Sequence, residues 1–254
     1  MSRRAVAGVD GCKAGWIAVL RQPAGPVSVR VFASFAEIVA AVPADAAIAV
    51  DMPIGLPDHS GPGGRGPEPL VRRHLGMRQS SVFSIPSRAA VYAADEDFTT
   101  LERWYAAHRH ASAAARATST PPRGVSIQAF GIFSKIRELD RLLRAWPELA
   151  ERVVESHPEA AFWRLNRERA METPKKIKGH VNPAGIEERK ALLAARGHER
   201  DFLDRDPPRG AGTDDFLDAA AMMLVAERFV LGVAVSFPDP PQRDAHGLPV
   251  AIWT

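Results

Sequence analysis

Hydrophobic positions follow different rhythms along this chain, and each rhythm predicts a different element. Residues 5 to 10 (AVAGVD) and 15 to 21 (GWIAVLR) are apolar runs split by GCKAG, the signature of a β-hairpin. Residues 27 to 34 (VSVRVFAS) alternate apolar and polar side chains, as a half-buried strand does. The period then changes. FAEIVAAV (35 to 42) predicts a short helix with Ser34 as its N-cap, and AAIAVDMP (46 to 53) a buried strand ended by Pro53. Strands joined by short turns run antiparallel, whereas a helical crossover returns the next strand parallel to its neighbour. The order β-β-β-α-β therefore predicts an α/β fold with a mixed sheet flanked by helices.

The middle of the chain breaks this pattern. IGLPDHSGPGGRGP (54 to 67) carries too much glycine and proline for regular structure and reads as a loop. A short helix is predicted over 68 to 76, an extended start with a helical end over 80 to 94, and helices over 97 to 116 and 128 to 145. No linker or repeat divides the chain, so this region, around 54 to 148, reads as a helical and loop insertion in a single domain spanning 1 to 254. AERVVESHPE (150 to 159) predicts a short strand ending at Glu155 and a helix from near Pro158. After a basic, polar stretch (167 to 183) come a helix over 184 to 196, a proline- and glycine-rich loop (205 to 212) and the strongest helix, TDDFLDAAAMMLVAERFVLG (213 to 232).

Composition narrows the class. With 46% hydrophobic residues in 254, the chain can build a packed core. Cys12 is the single cysteine, which excludes an internal disulfide and a thiolate-rich metal site. Asp10 interrupts the N-terminal apolar run too early for a signal-peptide core, and Glu227 and Arg228 break the long apolar stretch 216 to 237. The expectation is a cytoplasmic protein without a membrane partner. The net charge of +3 decides little, but its distribution is uneven. Arg65, Arg72, Arg73, Arg78 and Arg88 follow the glycine-rich loop, and KKIKGH (175 to 180) forms a second basic cluster. Both suit a phosphate backbone, and both equally suit a solvated face.

The candidate chemistry lies in the acids. Asp10 ends the first strand, Asp51 the fourth and Glu155 a later one, while Asp215 and Asp218 sit at i, i+3 at the start of the last long helix. Ligands of open α/β sheets bind at the carboxyl ends of parallel strands, and a helix as apolar as this one must pack on the sheet, so these acids are expected to converge. Clustered carboxylates repel unless they share a cation or hold a proton, and oxygen-only ligands suit Mg²⁺ or Mn²⁺. Taken singly, each acid has an ordinary structural reading. Asp-Gly is a turn dipeptide, and aspartates at a helix start cap it and suit its dipole.

GVDGCKAGW, AVDMPIGLPD, SSVFSIPSR, QAFGIFSKIRELD, ESHPEAAFWRLN, DDFLDAAA and GLPVAIW, in this order, resemble successive blocks of domain-of-unknown-function family 429, a group of predicted RNase H-like nucleases. The D-x-x-D-A element at Asp215 to Ala219 is also similar to the acidic motif of Holliday-junction resolvases. PEPLVRRHLG departs from the family's pattern at Glu68, while Arg72 and Arg73 remain. The resemblance implies an RNase H-like fold with Asp10 as the first-strand acid, Asp51 as the fourth-strand acid and Asp215 with Asp218 as the helix acids. Glu155 lies in the family's E-x-H-P-E block.

These readings converge on metal-dependent hydrolysis of a phosphodiester. Asp10 is expected to bridge two Mg²⁺ or Mn²⁺ ions about 4 Å apart, with Asp51, Asp215 and Asp218 completing the shells and Glu155 beside them. Arg72, Arg73, Arg88, Lys175, Lys176 and Lys178 are the candidates for holding phosphates of DNA or RNA, and His157 and His180 for proton transfer. The alternative is a non-enzymatic nucleic-acid or partner-binding protein on the same fold. An actin-like phosphotransferase, which would need a second phosphate hairpin, fits less well. The oligomeric state is open, a dimer included.

Overall fold

The computed structural model describes residues 4–94, 98–177 and 179–254. β1 (Val6–Cys12) turns into β2 (Gly15–Arg21), which pairs antiparallel with both β1 and β3 (Ser28–Phe32). The helix α1 (Phe35–Ala41) starts where the Ser34 hydroxyl accepts the Glu37 amide, and the crossover delivers β4 (Ala47–Val50) parallel to β1. Long after, β5 (Val153–Glu155) adds parallel to β4, so the sheet order is β3-β2-β1-β4-β5. This is the mixed sheet expected, with five strands, in an RNase H-like arrangement.

Between β4 and β5 lie α2 (Pro67–Arg72), a 3₁₀ turn (Gly76–Ser81), α3 (Arg88–Tyr92), α4 (Leu101–Ala117), α5 (Ile127–Gly131) and α6 (Phe133–Ala145). Beyond β5 come α7 (Pro158–Leu165), the small hairpin β6 (Lys176–Ile177) and β7 (His180–Val181), α8 (Pro183–Ala195), α9 (Arg200–Leu203), α10 (Thr213–Val230) and a terminal hairpin, β8 (Ser236–Arg243) and β9 (Pro249–Trp253). No helix among the described residues is long and apolar enough to cross a membrane.

Beyond the short β6–β7 hairpin and α9, which the sequence does not signal, three further places differ from the sequence expectation. The apolar pattern of 128 to 145 predicts one helix, but the backbone leaves helical geometry at Ile132 (φ −102°, ψ 1°), next to Gly131, and makes two. Position 97, where a helix is expected to start, lies outside the described residues, and α4 begins at Leu101 with Thr100 accepting the Arg103 amide. The β8–β9 hairpin carries no strand signal because Pro238, Pro240 and Pro241 remove amide donors from β8. It is tied to the main sheet at Ser156, whose hydroxyl donates to Trp253 O at 2.7 Å.

Side-chain alternation divides the core in two. Ala7, Val9, Trp16, Ala18, Ile48 and Val50 pack with Phe35, Ile38, Phe133, Ile136 and Leu139 of α1 and α6 on one face. Val6, Ile17, Val19, Ala49 and Val154 pack against α10 on the other. Gly8 and Asp10 share the parity of Val6 and therefore face α10. The helix lies so close there that a Cβ on Gly8 would stand 1.9 Å from Met223 N and 2.1 Å from Ala219 O. Glycine is required at this position by backbone contact rather than by a turn. Gly8→Val must push α10 off the sheet, and denaturant unfolding is expected to show a loss of at least ~2 kcal/mol, whereas a change within about 0.5 kcal/mol would mean that the contact is slack.

Candidate metal centre

The acids at the strand ends meet because of register and parity. β1 and β4 run parallel with Val9 opposite Val50, so Asp10 and Asp51 follow at the same edge, both on the α10 face. The contact at Gly8 fixes α10 lengthwise and leaves Asp218, the neighbour of Ala219, beside them. Asp10, Asp51 and Asp218 each offer one carboxylate oxygen, and these atoms all lie within 4.8 Å of one another. Asp10 and Asp218 are buried and Asp51 is half-buried.

Such proximity is costly without a cation. Burial pushes the Asp10 carboxyl well above the ordinary carboxylate range, and repulsion from Asp51 and Asp218 adds to it. Burial first and Asp218 second push Asp51 up to about 8. Burial pushes Asp218 up to about 6, against the pull of Lys175, whose ammonium donates to Asp218 Oδ2. The other oxygen, Asp218 Oδ1, is buried and has no hydrogen-bond partner among the described residues. A carboxylate with an orphaned buried oxygen, grouped with two further carboxylates, is the donor set a hard divalent cation takes, so these residues fit such an ion.

The remaining acids named from the sequence have partners of their own, although Glu155 and Asp215 both repel Asp51 and Glu155 borders the same cavity. Asp215 Oδ2 accepts the Gly212 amide at 2.9 Å, so this carboxylate closes the first turn of α10 while still repelling Asp10 from nearby. Glu155 follows Val154, whose side chain packs on the α10 face, so alternation sends Glu155 to the opposite face. There Arg65 bonds it through two nitrogens at 2.6 and 3.0 Å, the Ile54 amide adds a third bond at 2.7 Å, and Arg65 Nε donates to Glu68 at 2.8 Å. Glu155 thus joins a buried ion network under the site. Burial raises its pKa, with Arg65 opposing the rise.

The basic residues are also largely committed. Arg72 donates to Gly63 O, Val82 O and Ser84 Oγ at 2.7 to 2.9 Å, and Arg88 pairs with Asp140 and Asp244. Lys175 pairs with Asp218, and Lys176 with Asp214 at 2.6 Å. Arg73 is exposed, and Lys178 lies outside the described residues. His157 caps α7, its Nδ1 accepting the Glu159 amide at 3.2 Å, and burial lowers its pKa to about 4. His180 sits exposed on β7.

A cavity of about 170 Å³ opens beside the acids, its wall including Asp10, Asp51, Lys135 and His157, the Arg65–Glu68–Glu155 network, and the apolar Met52, Val82, Phe83 and Ile132. Sequence reasoning missed Lys135. It belongs to QAFGIFSKIRELD, but a lone lysine on an amphipathic helix looks like a solvated position. Its aliphatic stem runs over Gly11, where a Cβ would lie 2.8 Å from Lys135 Cδ, and its ammonium donates to Gly15 O and stands 4.6 Å from the Trp16 ring centre. A larger hollow of about 970 Å³, bordered by Trp104, Phe130 and Glu138, lies on the α6 face and contains no acidic cluster among the described residues.

The raised carboxyl pKa values fix a sign. A folded state that holds protons which the unfolded chain has released loses stability as pH rises, here from the ordinary value of 3.8 towards about 8. Without metal, the melting temperature is therefore expected to fall between about pH 5 and pH 8, excess Mn²⁺ to restore it most at the upper end, and Asp51→Asn to flatten the slope. A wild-type profile that is flat and insensitive to Mn²⁺ would contradict this electrostatic picture.

No curated protein and no solved structure matches the chain. The family model described as "Protein of unknown function (DUF429)" matches residues 8–243, from the glycine under α10 to the last residue of β8. The match takes in every acid of the cluster and both of its basic neighbours, and the chain belongs to the DUF429 family.

Proposed function

We propose that the protein is a metal-dependent hydrolase of phosphodiesters in nucleic acid, with Asp10, Asp51 and Asp218 as the cation ligands. One observation carries this reading: three carboxylates from separate elements converge within 4.8 Å at the carboxyl edge of parallel strands, and a buried oxygen of one of them has no partner among the described residues. Asp10 Oδ1 accepts the Gly11 amide at 2.6 Å and Asp218 Oδ2 the Lys175 ammonium, whereas Glu155 has donors on both of its oxygens and Asp218 Oδ1 has none among the described residues. A divalent cation bound there supplies charge to a phosphoryl oxygen and acidifies a water, and Mg²⁺ or Mn²⁺ suits the all-oxygen set.

The chain's own residues divide the remaining work. Asp10 and Asp218, fixed by β1 and by the contact of α10 with Gly8, hold their oxygens in place before a ligand arrives. Asp51, the more exposed acid, lines the cavity. Met52, Val82, Phe83 and Ile132 supply the apolar part of the cavity wall, which strengthens the charge interactions beside it. Lys135 lines the same cavity and can turn its ammonium from Gly15 O to an incoming phosphate. His157 is a poor proton carrier, since its Nδ1 is occupied by the Glu159 amide. Arg72, Arg88 and Lys176 are spent on internal partners, which favours a short nucleic-acid segment entering the cavity over a long duplex lying across a basic track.

The test is incubation with Mn²⁺ of labelled single-stranded, duplex and junction oligonucleotides. Cleavage is expected in the wild type and is expected to fall at least ~100-fold in Asp10→Asn and in Asp218→Asn. Metal binding without cleavage of any substrate would favour the non-enzymatic binding protein on the same fold. Cleavage that survives in Asp10→Asn would remove the acidic centre from the chemistry.

A further inference from the structure

The acidic centre already contains a cation of its own. Lys175 Nζ sits on Asp218 Oδ2, and this lysine is not a loose surface side chain. The backbone before it is held at Thr173, whose amide donates to Glu188 at 2.8 Å and whose carbonyl accepts Arg189 at 3.0 Å. Lys175 O accepts the Asn182 amide at 2.9 Å, and Pro174 O accepts Asn182 Nδ2 at 2.8 Å. The start of α8 presses directly on this segment through Gly185, where a Cβ would stand 2.2 Å from Pro174 O. Arg189, fully buried, secures the same helix to Glu159 at 2.6 Å. The fold therefore delivers an ammonium to the triad from a backbone fixed on both sides.

Charge then limits what else the centre can take. Asp10, Asp51, Asp218 and the nearby Asp215, set against Lys175 and Lys135, leave two negative charges, which one divalent ion neutralises. A second ion would turn that deficit into an equal positive excess in a buried site. The nearby acids lie outside the set of oxygens within 4.8 Å of one another: Asp214 is paired with Lys176 and Glu155 with Arg65, and Asp215 places Oδ2 on the Gly212 amide. Resting on the metal reading of the triad, we propose that this centre binds one divalent ion, and that Lys175 on Asp218 supplies the positive charge which a second ion provides in two-ion sites. Lys175 is then a positioning residue, holding Asp218 so that Oδ1 alone is left for the metal.

Calorimetric titration of the full chain with Mn²⁺ alone, together with the electron paramagnetic resonance spectrum of the loaded protein, tests this without any nuclease substrate. The wild type is expected to bind one ion per chain with the spectrum of an isolated Mn²⁺. Lys175→Arg, which keeps the charge, is expected to do the same. Lys175→Met is expected to bind a second, spin-coupled ion or to bind the first at least ~10-fold more tightly, because a neighbouring positive charge has gone. Two coupled ions in the wild type overturn the proposal, and so does a folded Lys175→Met with unchanged stoichiometry and affinity. Should Lys175→Met not fold, the wild-type and Lys175→Arg stoichiometries still decide. Absence of binding in the wild type, or binding unchanged in Asp10→Asn, overturns the metal reading itself and is distinct from either result.

Discussion

The contact of α10 with Gly8 is the constraint on which the rest depends. A strand residue without a side chain lets the helix backbone lie against the sheet, with Met223 N and Ala219 O where a Cβ would be. That closeness fixes α10 both in height and along its length. Because Asp218 precedes Ala219 and Asp10 lies two residues beyond Gly8 on the same strand face, one contact sets the distance between two acids that are far apart in sequence. Parallel pairing of β1 with β4 then adds Asp51. The three carboxylates are forced together by packing that the alanine-rich face of α10 stabilises through burial.

Forced proximity of like charges in a buried place opposes folding unless something compensates, and the molecule compensates unevenly. Around Glu155 the answer is complete: Arg65 spans Glu155 and Glu68 and leaves the network satisfied. Around Asp218 it is incomplete, since Lys175 covers one oxygen and the other has no partner among the described residues. The two acid groups lie on opposite faces of the same sheet end. The contrast separates acids that support the structure from acids that are kept available.

Much of this was legible in the sequence. The order β-β-β-α-β follows from apolar runs, turn residues and one change of period, and it dictates the mixed sheet. Asp10, Asp51 and Asp218 are visible as acids at the ends of apolar elements. Glu155 and Asp215 looked the same by that criterion, because position along an element says which edge an acid occupies and nothing about its face or its hydrogen bonds. Counting alternation from Val154 would have sent Glu155 to the other face, whereas the link of Asp215 to the Gly212 amide depends on α10 beginning at Thr213. The basic residues were the least legible. Arg72, Arg88 and Lys175 look like exposed charge, and their partners, Gly63, Asp140, Asp244 and Asp218, come from loops and helices that sequence spacing does not bring together. The β8–β9 hairpin was hidden by its prolines.

The central claim is that Asp10, Asp51 and Asp218 together hold a divalent cation. Anomalous diffraction from crystals grown with Mn²⁺ tests it most directly. The account predicts a peak within about 2.0–2.6 Å of a carboxylate oxygen of each of the three aspartates, the distance range of oxygen ligands on hard divalent ions. A peak bound elsewhere, or Mn²⁺-saturated crystals with none between these carboxylates, would contradict it.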